Sequence, residues 1–348
     1  LFGFNALKKV FPMRAMILAQ RAPMKEKPLR LIEKTSRKPQ KGEVLIEVAV
    51  CAICRTDLHI IEGDLPPHQS PVVPGHQVVG YIRQAGTDTH RFKVGDRVGV
   101  AWLFSSCGRC LYCHRDEENL CENPVFTGYD VDGGYSEFLI AKEDFIYPIP
   151  PELPSKQAAP LLCAGIIGYR ALHRTCIRKG ERLGLYGFGA SAHVVIQIAR
   201  HWGCQVYVAT RGEKHRELAL QLGAHWVGGA TDRPPEKLNA AILFAPVGEL
   251  VPVALEALDK GGTLALAGVY LTDIPSLNYE QHLFHEKNLI SVTANTRQDG
   301  EALLHLAEEI PIQTHTETFM LHQANEALLQ LKEDGIQGAG VLEIKREK

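Results

Sequence analysis

The alternation of apolar and polar positions changes character near residue 158. Before it the rhythm is short. EVLIEVAV (43–50) alternates as a half-buried strand does, and VVGYIRQAG, ending at Gly86, reads as another. RFKVGDRVGV (91–100) carries Gly95-Asp96 between two short strands, a hairpin-like signal. Gly and Pro punctuate this half, and no stretch from Met13 to Pro150 has the period of a helix longer than about ten residues. After Ala158 the elements lengthen and alternate: ERLGLYGFG reads as strand and turn, ASAHVVIQIARHWG as a helix closed by Gly203, CQVYVAT as a strand. A helix over 213–222 stops at Gly223, and AAILFAP, VPVALEALDKGG and TLALAGVY continue the series. Strands and helices in this order predict βαβ units and a parallel sheet covered on both faces. From Arg297 the elements are mixed again, ending in a helix over 323–332 and a strand VLEIK. No internal repeat or low-complexity segment interrupts the chain.

Length and composition add bounds. The 348 residues suggest about two domains. Apolar residues make up 45% and charged residues 22%, the proportions of a water-soluble fold. Lys plus Arg number 38 against 40 Asp plus Glu, so no basic excess favours nucleic acid or an anionic membrane. The most apolar stretch, 158–169, is short of the ~18–20 residues of a spanning helix and contains Pro160, Gly165 and Gly168. Nine cysteines, an odd number, without a secretory signal argue against a disulfide framework and for a reducing, cytoplasmic setting. Residues 1–12 read as an extension, with the fold beginning near Met13.

The cysteines are where chemistry enters. Cys107-Gly-Arg-Cys110-Leu-Tyr-Cys113, then Cys121, form a C-x2-C-x2-C-x7-C run. Four thiolates at this spacing suit a structural zinc; an iron–sulfur cluster also uses four cysteines, but no proline follows the last one. A second constellation is Cys54-Arg-Thr-Asp-Leu-His59, Pro74-Gly75-His76-Gln77 and, much later, Cys163. Two thiolates and one imidazole leave a fourth position open, the arrangement of a catalytic zinc. Taken singly, each of these residues is more often a packed core side chain.

In order along the chain, the strings CRTDLHIIEGDLP, PGHQVVG, GDRVGVAWLFSSCGRCLYC, ENLCENPVFTGYDVDGGYSEF, AAPLLCAGIIGYRAL and GLYGFGASAHVVIQIAR resemble those of zinc-dependent alcohol dehydrogenases of the medium-chain dehydrogenase/reductase superfamily. The resemblance runs over essentially the whole chain from Met13 and is nearest the bacterial propanol-preferring or cinnamyl-alcohol-dehydrogenase-like branch. It implies an α/β fold: a GroES-like β-rich catalytic domain in two pieces (13–164 and 296–348) around a doubly wound Rossmann coenzyme domain (165–295). It further implies that Cys54, His76 and Cys163 hold a catalytic zinc and that Cys107, Cys110, Cys113 and Cys121 hold a structural one. On the same ground Thr56 touches the substrate oxygen and starts a proton relay ending at His59. Arg55 faces the coenzyme pyrophosphate, Asp57 orients His76, and Trp102 lines a substrate pocket. Ile61 and Leu65 beside it suggest primary aliphatic or aromatic alcohols and their aldehydes. The family usually has Glu after the zinc-binding His; here it is Gln77. Subunits of the family pair into homodimers or homotetramers. A polyol or other secondary-alcohol dehydrogenase of the superfamily is the alternative activity. A quinone reductase would lack both cysteine sets, and a non-catalytic zinc protein has no reason to keep Thr56 and His59.

Gly187-Phe-Gly189-Ala-Ser-Ala192 follows a strand and opens a helix, the setting in which a G-x-G-x-x-A turn brings a pyrophosphate to the helix N-terminus. About 20 residues on, an NAD-binding fold normally supplies Asp or Glu for the adenosine ribose. The chain has Thr210-Arg211 instead. A hydroxyl and a guanidinium suit a 2′-phosphate, which favours NADP(H) over NAD(H).

Overall fold

A computed structural model of the chain describes residues 10–65 and 68–345. It divides into two compact units. One comprises Leu1–Cys163, Asn295–Glu308 and His315–Lys348; the other comprises Ala164–Ala294 and Glu309–Thr314.

The first unit is built on a mostly antiparallel sheet. In order its strands are Thr316–Met320, Ala339–Glu343, Glu43–Ala52, Gln77–Ala85, Arg97–Val100 and Ile146–Pro148, with Phe138–Lys142 also pairing with Glu43–Ala52. The Glu43–Ala52 strand is buried on nearly every residue, not on alternate ones. It is central, with partners on both edges and the helix Ser155–Pro160 packed against it, so its polar-looking positions are interior too. The buried face of this unit collects Ile46, Val48, Ile60, Ile61, Val78, Ile82 and Leu342 into one core.

Three sequence expectations need correcting here. The hairpin over 91–100 has only its second strand, Arg97–Val100. The backbone N–H groups of His90 and Arg91 instead donate to the buried Glu143 carboxylate at 2.9–3.0 Å, which removes them from any ladder. The fold also starts before Met13. Phe11 stacks on Phe138 at 5.0 Å, its N–H donates to Ser36 Oγ and its carbonyl accepts the Ser36 N–H, and the first strand is Pro12–Leu18; the rest of the expected extension, residues 1–9, lies outside the described residues. Finally, Glu309–Thr314 joins the second unit, where Ile310 and Ile312 are buried and the Gln197 side chain bonds both ways with the Gln313 backbone.

The second unit is a six-stranded, all-parallel sheet. Its order is Trp226–Gly228, Gln205–Ala209, Arg182–Tyr186, Leu238–Leu243, Leu258–Leu266, Asn288–Ser291. Numbered along the chain this is 3-2-1-4-5-6, the doubly wound order in which ligands sit beyond the carboxyl ends of the strands where the order reverses. Apolar strands Leu183–Leu185 and Ala240–Leu243, written by their fully buried positions, explain why the sheet is covered on both faces. Among the described residues, no helix is long and apolar enough to cross a membrane.

Candidate active site

The first cluster begins at the helix Arg55–Glu62. Cys54 is extended and caps it: the Asp57 carboxylate accepts the Cys54 backbone N–H at 2.8 Å, and Gly63, at φ +97°, ends the helix by bonding back to the His59 carbonyl. His76 is delivered by a tight approach. Gly75 has φ +99°, and a Cβ there would lie 2.4 Å from the Tyr135 ring and 2.9 Å from Cys51 Sγ, so only glycine fits. Cys163 sits on the π-helical turn Leu161–Gly165, just after Pro160 has interrupted the preceding helix by lacking an N–H.

These three elements bring Cys54, His76 and Cys163 together, with ligand atoms all within 4.8 Å of one another. The two sulfurs are 3.9 Å apart, close to the about 3.8 Å that tetrahedral zinc–sulfur bonds of ~2.3 Å require. His76 is fully buried, its Nδ1 faces Asp57 Oδ1 at 3.1 Å, and its Nε2 has no hydrogen-bond partner. A buried, unpartnered imidazole nitrogen beside two sulfurs is a donor set that fits a metal and explains itself poorly otherwise. Burial pushes the His76 imidazole down, but the Asp57 carboxylate and the Cys54 sulfur outweigh it and raise it to about 10. The hydrogen bond from Cys163 holds the Cys54 thiol well below its ordinary range against the cost of burial, with His76 contributing. The same bond, together with burial, pushes Cys163 well above it. Without metal the site is therefore a thiolate, an imidazolium and a thiol.

The residues around this cluster are distributed unevenly. Thr56 is buried, with its hydroxyl 3.6 Å from Cys54 Sγ. His59 lies three residues on, and its Nδ1 meets Asp64 Oδ2 at 2.8 Å; Asp64 is half-exposed. Asp64 was not singled out from sequence, although its place just past the Gly63 cap could have flagged it. The Arg55 guanidinium pairs with Asp334 at 2.5 Å. Trp102 presents an edge-on contact to the His76 ring at 4.9 Å, and it is not alone. Phe126 stacks on it at 4.9 Å and Tyr129 at 5.9 Å, two aromatics inside the ENLCENPVFTGYDVDGGYSEF string whose contact with Trp102 nothing in the string itself marks. Gln77 is buried at the start of the next strand.

The second cluster holds Cys107, Cys110, Cys113 and Cys121, again with sulfurs mutually within 4.8 Å. Backbone N–H groups point at the sulfurs, as from Cys107 to Cys121 Sγ at 3.2 Å and from Asn123 to Cys121 Sγ at 3.4 Å. Amides of Cys113 and Glu122 pull the Cys110 thiol down to about 6, and the Arg109 amide lowers Cys107, whereas burial lifts Cys121 to about 11. These two are the only groups of three or more such ligating side chains among the described residues.

In the second unit, Gly187 (φ +89°) leaves no room for a Cβ, which would lie 2.9 Å from the Ala245 nitrogen. Gly189 caps the helix Ala190–His201, and a Cβ there would project into open space, the clearance a pyrophosphate needs over the first-turn N–H groups. Ala192 is fully buried. Thr210 is buried at the end of its strand and Arg211 is exposed, with the Arg216 guanidinium bonding both their carbonyls.

Comparisons with known proteins agree with this layout. Residues 40–151 match the sequence model "Alcohol dehydrogenase GroES-like domain", and residues 192–309 match "Zinc-binding dehydrogenase". A Mycobacterium tuberculosis protein named "Probable alcohol dehydrogenase AdhA" is 50% identical over 335 residues, covering 95% of this chain and 97% of that one. An alcohol dehydrogenase of Geobacillus stearothermophilus is 36% identical, over 92% and 97% of the two chains. Among solved structures, a cinnamyl alcohol dehydrogenase of Sorghum bicolor superposes with a TM-score of 0.88 at 28% identity, covering 97% of this chain and 99% of the other.

Proposed function

The chain belongs to the zinc-binding, GroES-like alcohol dehydrogenase family, and from that premise we propose that it interconverts primary alcohols and their aldehydes with a nicotinamide coenzyme, using zinc held by Cys54, His76 and Cys163. The observation that carries this is the unpartnered, fully buried His76 Nε2 beside two sulfurs 3.9 Å apart. Cys107, Cys110, Cys113 and Cys121 would hold a second, structural zinc. Zinc at the first site supplies a Lewis acid that polarises the aldehyde carbonyl and acidifies the alcohol, and the nicotinamide carries the hydride.

The chain's own groups do the rest. Asp57 fixes the His76 ring so that Nε2 points at the sulfurs. Thr56 and His59, three apart on one helix, share a face, so the Thr56 hydroxyl passes the alcohol proton toward His59. The Asp64 carboxylate, 2.8 Å from His59 Nδ1 and half-exposed, orients the ring at the solvent end of this route. The stack of Trp102 with Phe126 and Tyr129 offers a flat apolar wall to an aliphatic or aromatic substituent. Gln77 in place of Glu keeps a further negative charge away from the two thiolates and the Asp57 carboxylate. Gly187, Gly189 and Ala192 would seat the coenzyme pyrophosphate, and the family resemblance assigns Arg55 to the same group. Thr210 and Arg211 favour NADP(H) over NAD(H). The thiolate ligands call for a reducing compartment such as the cytoplasm, and the family habit is a homodimer or homotetramer.

A panel of primary, secondary and polyol substrates, assayed with both coenzymes before and after chelation, tests the reading. Primary alcohols should lead, and activity should vanish with the metal and return with zinc. Turnover that survives complete removal of metal would falsify it.

A further inference from the structure

We infer that Tyr135 is a positioning residue for the metal site: its hydroxyl clamps the carboxylate of Asp57, which in turn orients two of the three ligands. The inference rests on the reading of Cys54, His76 and Cys163 as a metal site.

The segment that carries Tyr135 is laid directly against the segment that carries His76. Backbone N–H groups of Gly133, Gly134 and Tyr135 donate to the carbonyls of Val73, Gly75 and Pro74 at 2.7–2.9 Å. Close contact makes glycine compulsory on both sides: a Cβ on Gly133 would fall 2.0 Å from the Gly75 oxygen, and one on Gly75 would fall 2.4 Å from the Tyr135 ring. The Tyr135 side chain is fully buried, and its ring lies alongside the turn that aims His76. Its hydroxyl donates to Asp57 Oδ2 at 2.9 Å.

Asp57 is itself fully buried and receives three donors. Oδ1 faces His76 Nδ1 at 3.1 Å, while Oδ2 accepts both the Cys54 backbone N–H at 2.8 Å and the Tyr135 hydroxyl. Two of those donors belong to ligand residues, so they move with the ligands. Tyr135 is the donor anchored in a different segment. It fixes the rotation of the carboxylate about its own bond, and a fixed carboxylate fixes the His76 ring and the Cys54 backbone together. Removing the hydroxyl while keeping the ring leaves the packing on Gly75 intact and frees the carboxylate to turn. Loss of such an outer partner typically costs 10- to 100-fold in metal affinity. Tyr135 stands one bond further from the metal, which puts the expected effect at the low end, about tenfold.

The test follows zinc release from loaded protein into a colorimetric chelator. Wild type should give up two equivalents at separable rates, and Cys163→Ser identifies which belongs to the Cys54–His76–Cys163 site by losing it. In Tyr135→Phe that equivalent should leave about tenfold faster, with the other unchanged, and the cobalt(II)-substituted protein should show altered d–d absorption bands. In an Asp57→Asn background, Tyr135→Phe should add nothing, since the hydroxyl acts through the carboxylate. Wild-type rates and bands in Tyr135→Phe overturn the inference even if thermal stability falls. So does equal acceleration of both equivalents, or additivity with Asp57→Asn. A wild-type protein whose equivalents are unaffected by Cys163→Ser overturns the metal-site reading itself, and the inference with it.

Discussion

Loading zinc into metal-free protein at Cys54, His76 and Cys163 should expel about two protons. In the metal-free site the Asp57 carboxylate and the Cys54 sulfur raise His76 to about 10, against burial, so at pH 8 its imidazole is protonated. Cys163 is raised well above the ordinary thiol range by its hydrogen bond to Cys54 and by burial, so it too keeps its proton. Cys54 is lowered, chiefly by that same bond, and has none to lose. All three must be unprotonated to bind the metal. Each displaced proton makes the apparent affinity rise tenfold per pH unit, so two make it rise about 100-fold between pH 7 and 8, or ~2.7 kcal/mol. Binding therefore strengthens as pH rises, and the slope falls toward one as the pH passes about 10 and His76 loses its proton unaided. The assay is a weakly buffered titration with an indicator dye, on protein that keeps its four-cysteine zinc but has the other site emptied. Release of about one proton or fewer at about pH 9.5, where an imidazole and two thiols of ordinary acidity would already have lost most of theirs, would refute the assignment of a thiolate, an imidazolium and a thiol.

Three further outcomes follow from the geometry. His59→Gln should slow alcohol oxidation by about 100-fold or more, most severely at low pH, with added imidazole restoring part of the rate; a pH–rate profile identical to wild type removes His59 from the relay. Arg211→Ala should lower kcat/KM for NADP about tenfold, ~1.4 kcal/mol, and leave the NAD value alone, which steady-state kinetics with both coenzymes decides. Glu43 is held at about 2: burial opposes its ionisation, but Arg37, the Gln40 amide and Lys142 outweigh that. A lowered carboxylate gives stability that is full above about 4.5 and drains as pH falls toward 2, so Glu43→Gln should lose ~2 kcal/mol at pH 7 and little near pH 2 in denaturant titrations, a figure discounted for the half-exposed Arg37.

What could be read from the sequence follows the range of the interactions. The four-cysteine cluster is local: a 15-residue loop from Cys107 to Cys121 closes on itself, so its spacing is its structure. The parallel sheet was legible because each strand and helix carries its own period, whereas the 3-2-1-4-5-6 order is one of several that right-handed βαβ units permit. The other cluster of candidate ligands joins residues 109 apart, Cys54 and Cys163, and no local pattern marks that pair; the family resemblance points to it. Contacts between segments far apart in the chain are not legible, even where the residues lie inside a recognisable string. The Arg55–Asp334 pair spans 279 residues, Phe126 and Tyr129 stack on Trp102 by tertiary packing, and Tyr135 meets Asp57 across 78. The missing first strand of the 91–100 hairpin fails for the same reason: a distant carboxylate, Glu143, claims its donors.

The most direct measurement of the central claim is the zinc content and alcohol oxidation rate of the wild type beside Cys163→Ser. The account predicts two zinc per wild-type chain, and one in a folded Cys163→Ser protein that turns over no alcohol. An active wild type holding one zinc or none, or a Cys163→Ser variant that keeps its rate, would contradict it.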